Sequence, residues 1–170
     1  MILKKDYFSS PATILAPNLL GKFLCRRTEI GIIRSRITET ECYYGEEDTA
    51  CHAHKGKTER TKTMYEQGGI TYVYLCYGMH AMLNIVTGPA DHPEAVLIRG
   101  LEDAHGPGRT TKFLQITTKD NALPLSPESG IWLEDDSTKP EYTSHPRVGI
   151  DYASKKDQER LWRYVIKERE

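Results

Sequence analysis

The sequence predicts an α+β fold in one domain spanning residues 1–170, built on a curved antiparallel β-sheet with a few peripheral helices and a protruding β-hairpin. Three observations support this prediction. A chain of 170 residues, 38% of them hydrophobic, can bury one sizeable core but not two. Runs rich in β-branched and aromatic residues alternate with turn residues, which is typical of antiparallel strands. No internal repeat, low-complexity tract or linker divides the chain.

The first element is predicted to be a short helix. Ser10 followed by Pro11 is typical of an N-cap and a first helical turn, and the apolar residues that follow lead to Gly21 as a stop. Because Pro17 lies inside this stretch, we expect the helix to be short or kinked.

Two strands are predicted next, KFLCRR and GIIRSRITETECYY, joined by a turn over residues 28–31. Side chains alternate along a regular strand, so the second strand would place five of them on one face: Ile33, Ile37, Glu39, Glu41 and Tyr43. The carboxylate of Glu41 would then project from a face that is otherwise apolar and aromatic.

The middle of the chain indicates an antiparallel meander. Residues 70–102 contain three β-rich runs that are broken at Tyr77-Gly78 and again at residues 88–93. The second half is less regular. There, GPGRTTKFLQI indicates a helix start, GIWLED a short strand, RVGIDYA a turn and LWRYVIK a closing strand.

Charge is distributed unevenly, although the net charge of −1 does not itself indicate a polyanionic partner. Residues 39–48 carry five acids and no base, whereas residues 52–62 carry four basic side chains and two histidines against the single Glu59. These segments could be two solvated loops of opposite sign. They could also be an acidic, tyrosine-bearing pocket beside a rim that faces phosphates, and charge alone does not decide between the two.

We expect an intracellular protein with no membrane contact, no metal and no cofactor. The chain has no apolar stretch near the roughly 20 residues of a membrane span, and no signal peptide is apparent. The four cysteines form no CxxC pair and are expected to be free and mostly buried. Cys42, Cys51, His52 and His54 lie close together but lack the first close ligand pair of a structural zinc site.

Three features could carry chemistry, and each also has a purely structural interpretation. Glu41 could be a general base whose pKa is raised by burial, or it could simply pair with Arg34 or Arg36. Six of the ten tyrosines lie between residues 43 and 77, which suits either an ordinary sheet or a stacking platform for nucleobases. Tyr77 could insert into a base stack or could be an ordinary exposed turn residue.

Five blocks of sequence occur in an order that matches a known family. They are ETECYYGEEDTACHA, MYEQGGITYVYLCYGMHAMLNIV, PEAVLIRGLE, GPGRTTKFLQI, and PRVGIDYA with WRYVI. Along nearly the whole chain this order resembles the alkyladenine (3-methyladenine) DNA glycosylase family. The resemblance implies a DNA repair enzyme that flips damaged purines, of the 3-methyladenine, 7-methylguanine, hypoxanthine and ethenoadenine class, out of double-stranded DNA. The enzyme would then hydrolyse the N-glycosidic bond.

The resemblance also implies catalytic roles. Glu41 would be the general base that deprotonates the attacking water, and Arg99 would help to hold the carboxylate and the water. The backbone near Val148 would contact the same water. Tyr77 would be the DNA-intercalating side chain that fills the place of the flipped nucleotide.

Binding roles follow in the same way. Tyr43 and Tyr74 would stack on the two faces of the flipped base, with a hydrogen bond from His52. Asn84 would discriminate against the exocyclic amino group of normal guanine. The phosphate-binding residues would be Lys55, Lys57, Arg60 and Lys62.

The chain departs from the family pattern at three places. Only residues 103–105 stand where the family usually has a longer insert, GPGRTTK replaces a GPGKLT-like run, and Cys51 replaces the commoner serine. The pattern contains no lysine or N-terminal proline as an amine nucleophile, so we expect hydrolysis without strand cleavage, by a monomer.

Two other functions remain open at this point. A non-catalytic nucleic-acid-binding module would keep the sheet and the basic loop, but it would not need Glu41 and Arg99 facing a polyanion. A hydrolase of small N-glycosides would need neither Tyr77 as a wedge nor a basic rim.

Overall fold

The computed structural model describes residues 1–168, and in this range nine strands form one open antiparallel sheet. The strands are β1 (Phe23–Thr28), β2 (Gly31–Tyr44), β3 (Thr71–Cys76), β4 (His80–Val86), β5 (Glu94–Leu101), β6 (Ala104–His105), β7 (Ile131–Glu134), β8 (Tyr142–His145) and β9 (Arg163–Ile166). Six of them follow the order β3-β4-β5-β2-β1-β7, while β6 pairs with β5, and β9 pairs with β2 and β8. The predicted α+β fold is confirmed.

Three short α-helices lie around the sheet: α1 (Ala12–Asn18), α2 (Pro107–Phe113) and α3 (Lys155–Glu159). Single turns of 3-10 helix occupy several connections, including His52–Lys55 and Thr61–Tyr65 in the basic loop. None of the helices within residues 1–168 has the length and apolar character needed to span a bilayer.

Helix α1 forms as predicted but begins differently. Its N-cap residue is Pro11 and no side chain caps it locally, so the prediction of Ser10 as the N-cap is wrong. The N–H of Ala12 instead donates to the buried carboxylate of Glu94 on β5 at 2.7 Å. A distant acid therefore stabilises the helix N-terminus, where a negative charge is favourable. The helix ends one residue after Pro17, as expected for a short helix.

Strand β2 contains an irregularity that changes which side chains face the core. Its pairing with β5 shifts register on both sides of Glu39. Ile37 and Cys42 both belong to the main core, although residues five apart would point to opposite faces of a regular strand. The prediction of one common face for Ile33, Ile37, Glu39, Glu41 and Tyr43 is therefore wrong. The bulge turns Glu41 and Tyr43 away from the face that carries the main core.

Two of the three buried hydrophobic clusters in the described part of the chain contain residues of the sheet. The main core lies between the sheet and α1 and includes Phe8, Leu15, Leu24, Leu83 and Ile98. A second cluster lies under the 52–65 loop and includes Cys51, Met64, Tyr65, Tyr72 and Val86, with Tyr43 and Tyr74 packed against it. This second cluster forms a rigid backing for the aromatic side chains of the site.

The predicted meander is confirmed, since β3, β4 and β5 are antiparallel neighbours in chain order. The helix at GPGRTTK and the strands at GIWLED and LWRYVIK are also found, as α2, β7 and β9. The sequence did not predict β8 or α3. Both are short and polar, and β8 is defined by its pairing with β9 rather than by a local pattern.

Candidate active site

A cavity of about 370 Å³ opens beside β2, β3 and β4. It is lined by all eight residues predicted for catalysis, base binding and insertion: Glu41, Tyr43, His52, Tyr74, Tyr77, Asn84, Arg99 and Val148. Of the predicted phosphate ligands, Arg60 also lines the cavity, whereas Lys55, Lys57 and Lys62 lie outside it. Residues that are up to 107 positions apart in sequence therefore meet in one place.

Glu41 is fully buried, and each of its carboxylate oxygens accepts a hydrogen bond. The hydroxyl of Tyr43 donates to Oε1 at 2.9 Å, and the N–H of Val148 donates to Oε2 at 2.7 Å. Nη1 of Arg99 lies 3.7 Å from Oε1. Because Tyr43 is two residues further along β2, the strand itself brings this donor to the same face. Together these partners hold the carboxylate in one orientation.

Burial raises the pKa of Glu41 above its ordinary value, because the charged carboxylate loses its hydration. The positive charge of Arg99, the N–H of Val148 and the hydroxyl of Tyr43 oppose this shift. A carboxylate with a raised pKa accepts a proton more readily, and its donors keep it aimed into the cavity. This combination is suited to general base catalysis.

Arg99 on β5 is held chiefly by another carboxylate. Its Nε donates to Oε2 of Glu39 at 2.8 Å, which is shorter than its distance to Glu41. Nη1 of Arg163 lies 3.9 Å from the other oxygen of Glu39. Glu39 therefore holds the guanidinium of Arg99 in place next to Glu41.

The interpretation of Glu41 as the partner of Arg34 or Arg36 is wrong. Nε of Arg34 lies 3.6 Å from a carboxylate oxygen of Glu134, and Arg36 pairs with Asp136 at 2.6 Å. Both arginines precede the bulge in β2, so they lie along the part of the sheet formed with β1 and β7.

Aromatic rings form much of the cavity wall. The rings of His52 and Tyr74 meet edge to face with centroids 4.5 Å apart, and the rings of Tyr72 and Tyr74 are 5.4 Å apart. Nδ1 of His52 lies 3.2 Å from the hydroxyl of Tyr72. With Tyr43 on β2, these rings offer apolar faces and a few polar atoms, which is the composition of a pocket for a planar ligand.

His52 is uncharged at neutral pH. Burial, with a further contribution from the charge of Arg60, lowers its pKa to about 4. A neutral imidazole carries one donor and one acceptor nitrogen, so it can form a directional hydrogen bond with a ligand in the cavity.

Asn84 lies on β4, opposite Tyr72 on β3 and Leu97 on β5. Its side chain is buried, and its amide nitrogen donates to the backbone carbonyl of Tyr72 at 3.2 Å. This bond fixes an amide group in the cavity wall, where it can form a hydrogen bond with a ligand.

Tyr77 projects from the turn that joins β3 and β4. Residues 76–79 form a β-turn closed by the N–H of Met79 and the carbonyl of Cys76 at 3.1 Å. Both central residues, Tyr77 and Gly78, have positive φ angles of 52° and 66°. A positive φ is unusual for a tyrosine and carries a cost in backbone strain. The ring is 93% exposed, so the turn presents an aromatic side chain to solvent beside the cavity.

The four predicted phosphate ligands are all exposed, but they have different neighbours. Lys55 and Lys57 are exposed, with the Lys57 ammonium 5.5 Å from the ring centroid of Tyr65. Lys62 forms an ion pair with Glu59. The guanidinium of Arg60 instead lies over the ring of Tyr74, 4.9 Å from its centroid.

One buried ion pair of the site was not predicted from the sequence. Arg147 and Asp48 form a bidentate pair with N···O distances of 2.6 and 2.9 Å, and both side chains are almost fully buried. The guanidinium also donates to the carbonyl of Cys42 at 2.9 Å and lies 5.0 Å from the ring of Tyr43. Because Val148 follows Arg147 directly, this pair fixes the N–H that reaches Glu41.

Tyr72 and Tyr152 also line the cavity, and the sequence motifs implied no role for either. The alternation of a strand offered a signal for Tyr72, which shares a face of β3 with Tyr74. The hydroxyl of Tyr152 donates to the carbonyl of Ala50 at 2.7 Å. That contact spans 102 residues and has no local sequence signal.

The cysteines are free, and Cys25, Cys42 and Cys51 are buried. Burial raises the pKa of Cys51 to about 12, so its thiol is uncharged at neutral pH. Across residues 1–168, no three His, Cys, Asp or Glu side chains are grouped so that they could hold a metal ion.

Comparisons with the sequences of known proteins identify the family. The sequence model of the family described as methylpurine-DNA glycosylase matches residues 6–105 and 102–170. A protein of Psychrobacter cryohalolentis is 42% identical over 96% of this chain and 91% of its own length. One of Bdellovibrio bacteriovorus is 42% identical over 90% of this chain and 89% of its own, and one of Borrelia garinii subsp. bavariensis is 40% identical over 98% and 96%. All three are provisionally named 3-methyladenine DNA glycosylase.

The two matched segments meet at residues 102–105, where β5 turns through β6 towards α2. The shortened insert predicted from the sequence lies at this connection. On both sides of it the match continues through the residues that line the cavity. The chain therefore belongs to the methylpurine-DNA glycosylase family of DNA repair enzymes, as its sequence motifs predicted.

Proposed function

We propose that this chain is a monofunctional DNA glycosylase that removes alkylated or deaminated purines from double-stranded DNA inside the cell. The observation that carries the proposal is the environment of Glu41. A fully buried carboxylate, oriented by Tyr43 and Val148, lies in a cavity walled by aromatic rings. Neither the fold nor the core requires a carboxylate there, and burying it is costly.

The chemical step is hydrolysis of the bond between C1′ of deoxyribose and N9 of the purine. Glu41 accepts a proton from a water molecule, whose oxygen forms the new bond to C1′. The electron pair of the C1′–N9 bond leaves with the base. Arg99 helps to orient the carboxylate and the water, and the sugar passes through an oxocarbenium-like state that the nearby carboxylate stabilises.

Recognition of the base rests on the aromatic walls. Tyr43 and Tyr74 stack on the faces of a purine, and each stacked base is worth about 1–3 kcal/mol. His52 supplies one directional hydrogen bond, and Asn84 excludes the exocyclic amino group of guanine. Purines alkylated at N3 or N7 are cationic, which makes them good leaving groups and favours contact with aromatic faces.

Access to the base requires flipping, since C1′ is not reachable inside a stacked duplex. Flipping costs a few kcal/mol, and the cost is least for damaged or mispaired bases. Tyr77 is exposed beside the cavity and fills the gap that the flipped nucleotide leaves. Lys55 and Lys57 contact phosphates on the same side, and the chain acts as a monomer.

The enzyme leaves the DNA strand intact. Cleavage by β-elimination begins with a Schiff base between an amine and C1′. The lining of the cavity, within the described part of the chain, contains no lysine, and its cationic side chains are Arg60 and Arg99. An arginine stays protonated and is a poor nucleophile. Water is therefore the nucleophile.

Base release from defined duplexes tests the proposal. The protein is incubated with duplexes that each contain a single 7-methylguanine, hypoxanthine or ethenoadenine, and abasic sites are then cleaved with alkali. We expect strand breaks only after alkali and only at the modified purine. Breaks before alkali would contradict a monofunctional mechanism, and no breaks with any lesion would contradict the proposed activity.

A further inference from the structure

Arg60 differs from the three lysines of its loop because its side chain lines the cavity. Its guanidinium carbon lies 4.9 Å from the ring centroid of Tyr74, and its side chain lines the same cavity as Glu41. Among residues 1–168, no carboxylate lies within ion-pair distance of Arg60. Its neighbour Lys62, by contrast, is paired with Glu59.

The cavity consequently has charges of opposite sign at two places. The acidic place is Glu41, next to which C1′ of the sugar must lie for hydrolysis. Arg99 lies 3.7 Å from this carboxylate but is paired more closely with Glu39, at 2.8 Å. Arg60 lies with His52 and Tyr74, which is where a base extending away from C1′ must reach. The proximity of Arg60 to His52 is also apparent in the lowered pKa of the imidazole.

We propose that Arg60 is a specificity-determining residue that favours uncharged purines, such as hypoxanthine, over purines made cationic by N3 or N7 alkylation. This inference rests on the proposed glycosylase function. Two effects act in the same direction. On binding, the guanidinium beside the cavity repels a cationic base but not an uncharged one.

The second effect arises as the bond breaks. An uncharged purine that leaves with the electron pair of the C1′–N9 bond becomes an anion, and it later takes a proton from solvent. A nearby positive charge stabilises that developing negative charge. The charge on the base falls by one unit in both cases. For a cationic purine this only relieves the repulsion met on binding, whereas for an uncharged purine it creates a new attraction to Arg60, so the preference is expressed over the whole path from free enzyme and DNA to the transition state. Because arginine stays protonated, it acts through its charge and not by donating a proton.

Single-turnover release of two bases measures this preference. The enzyme is in excess over each duplex but below its dissociation constant, so that the rate reports binding and chemistry together. The two duplexes share one sequence, with hypoxanthine in one and 7-methylguanine in the other. For Arg60→Gln we expect the ratio of the hypoxanthine rate to the 7-methylguanine rate to fall about tenfold, as expected for a charge acting across a partly screened site. Arg60→Lys keeps the charge on a more mobile side chain, so its ratio should lie between those of Arg60→Gln and the wild type.

Lys57→Gln is the matched control, because it removes one positive charge from the same loop outside the cavity. It should weaken binding of both duplexes alike and leave the ratio unchanged. An unchanged ratio in Arg60→Gln, or equal ratios in Arg60→Gln and Arg60→Lys, would overturn the inference alone. A wild-type protein that releases neither base would overturn the proposed function together with the inference. If Arg60→Gln fails to fold, the ratio of the two rates is compared between Arg60→Lys and the wild type. A smaller fall in the ratio is then expected.

Discussion

The inner end of the cavity and its rim differ in burial and in hydrogen bonding. At the inner end, which comprises Glu41, Tyr43, Arg99 and Val148, both carboxylate oxygens are hydrogen-bonded and the central carboxylate is fully buried. By the rim we mean Tyr77, which lines the cavity, together with three lysines of the 52–65 loop that lie outside it: Lys55, Lys57 and Lys62. There the tyrosine ring is 93% exposed, and the lysines lie in solvent-exposed positions of a loop.

This difference separates two physical tasks. Chemistry needs groups held in place before the substrate arrives, because orienting them during the reaction would add to the barrier. Contact with a long polyanion needs exposed charges and an exposed ring, because their partners come from outside the protein. Changes at the inner end should therefore affect catalysis and stability, whereas changes at the rim should affect DNA binding.

The largest effect is expected for Glu41→Gln. Without a base to take the proton from water, release of the modified purine should fall by about 10²–10⁴-fold or more. Affinity for DNA with an abasic site should remain nearly intact, because Glu41 is not at the rim. Single-turnover base release and a binding assay measure the two separately. Glu29→Gln, which changes an exposed carboxylate in the turn before β2, is the control and should keep wild-type activity. Wild-type turnover in Glu41→Gln would remove the assignment of the base.

A buried ion pair gives the next largest effect. Arg147→Met leaves the carboxylate of Asp48 buried without its partner, so we expect the free energy of unfolding to fall by about 3–5 kcal/mol. Base release should fall too, because Val148 loses its anchor beside Glu41. Urea unfolding measures the stability change.

The control is Arg36→Met, which breaks the more exposed pair with Asp136. Its cost should be at most about 1 kcal/mol, as for other partly solvated pairs. Equal losses in the two variants would show that the burial of Arg147 and Asp48 is not what stabilises this part of the site.

The dependence of activity on pH also tests the inner end. Glu41 acts as a base only when ionised, so the rate should fall as the pH drops through its pKa. Since burial raises that pKa, the fall should occur above the ordinary value of 4.5. A duplex containing 7-methylguanine suits the measurement, because this cationic base needs no protonation to leave.

Tyr43→Phe sharpens that test. It removes a donor that lowers the pKa of Glu41, so the fall in rate should move to higher pH. Tyr142→Phe, an exposed position on β8, should leave the profile unchanged. A profile that stays flat to pH 4.5 in the wild type would count against Glu41 as the base.

The same contrast explains what the sequence could predict. The meander from β3 to β5 and the turn at Tyr77 depend on neighbouring residues, and both were found where the local pattern placed them. The face on which Glu41 lies depends on a bulge that forms only through pairing with β5, and the regular alternation of β2 predicted the wrong face.

Contacts between residues far apart in the sequence could not be predicted from local patterns, for the same reason. Asp48 and Arg147 are 99 residues apart. Asp48 belonged to the acidic segment 39–48 and Arg147 to the predicted turn RVGIDYA, and no local pattern linked the two. The clustering of Glu41, Tyr74 and Arg99 was predicted only through the resemblance to the family, which carries information about distant neighbours that spacing within one sequence does not contain.

At the rim, Tyr77→Ala should weaken binding to a duplex with a lesion by about 1–3 kcal/mol, the range for a stacked aromatic side chain. Binding to single-stranded DNA should change little, because a single strand has no gap to fill. Titration of both DNA forms measures the difference, with Tyr142→Ala as a control for the loss of an exposed tyrosine. Equal losses on both forms would contradict insertion into a base stack.

The smallest effects are expected for the basic loop. Removing one side chain that binds a phosphate should reduce the slope of the logarithm of the binding constant against the logarithm of salt concentration by about 0.9. Lys55→Gln and Lys57→Gln should each show this reduction, with little change in the rate of base release once DNA is saturating. Lys62→Gln should change the slope less, because Lys62 is already paired with Glu59. An unchanged slope for Lys55→Gln and Lys57→Gln would place the phosphate-binding side chains on another face of the protein.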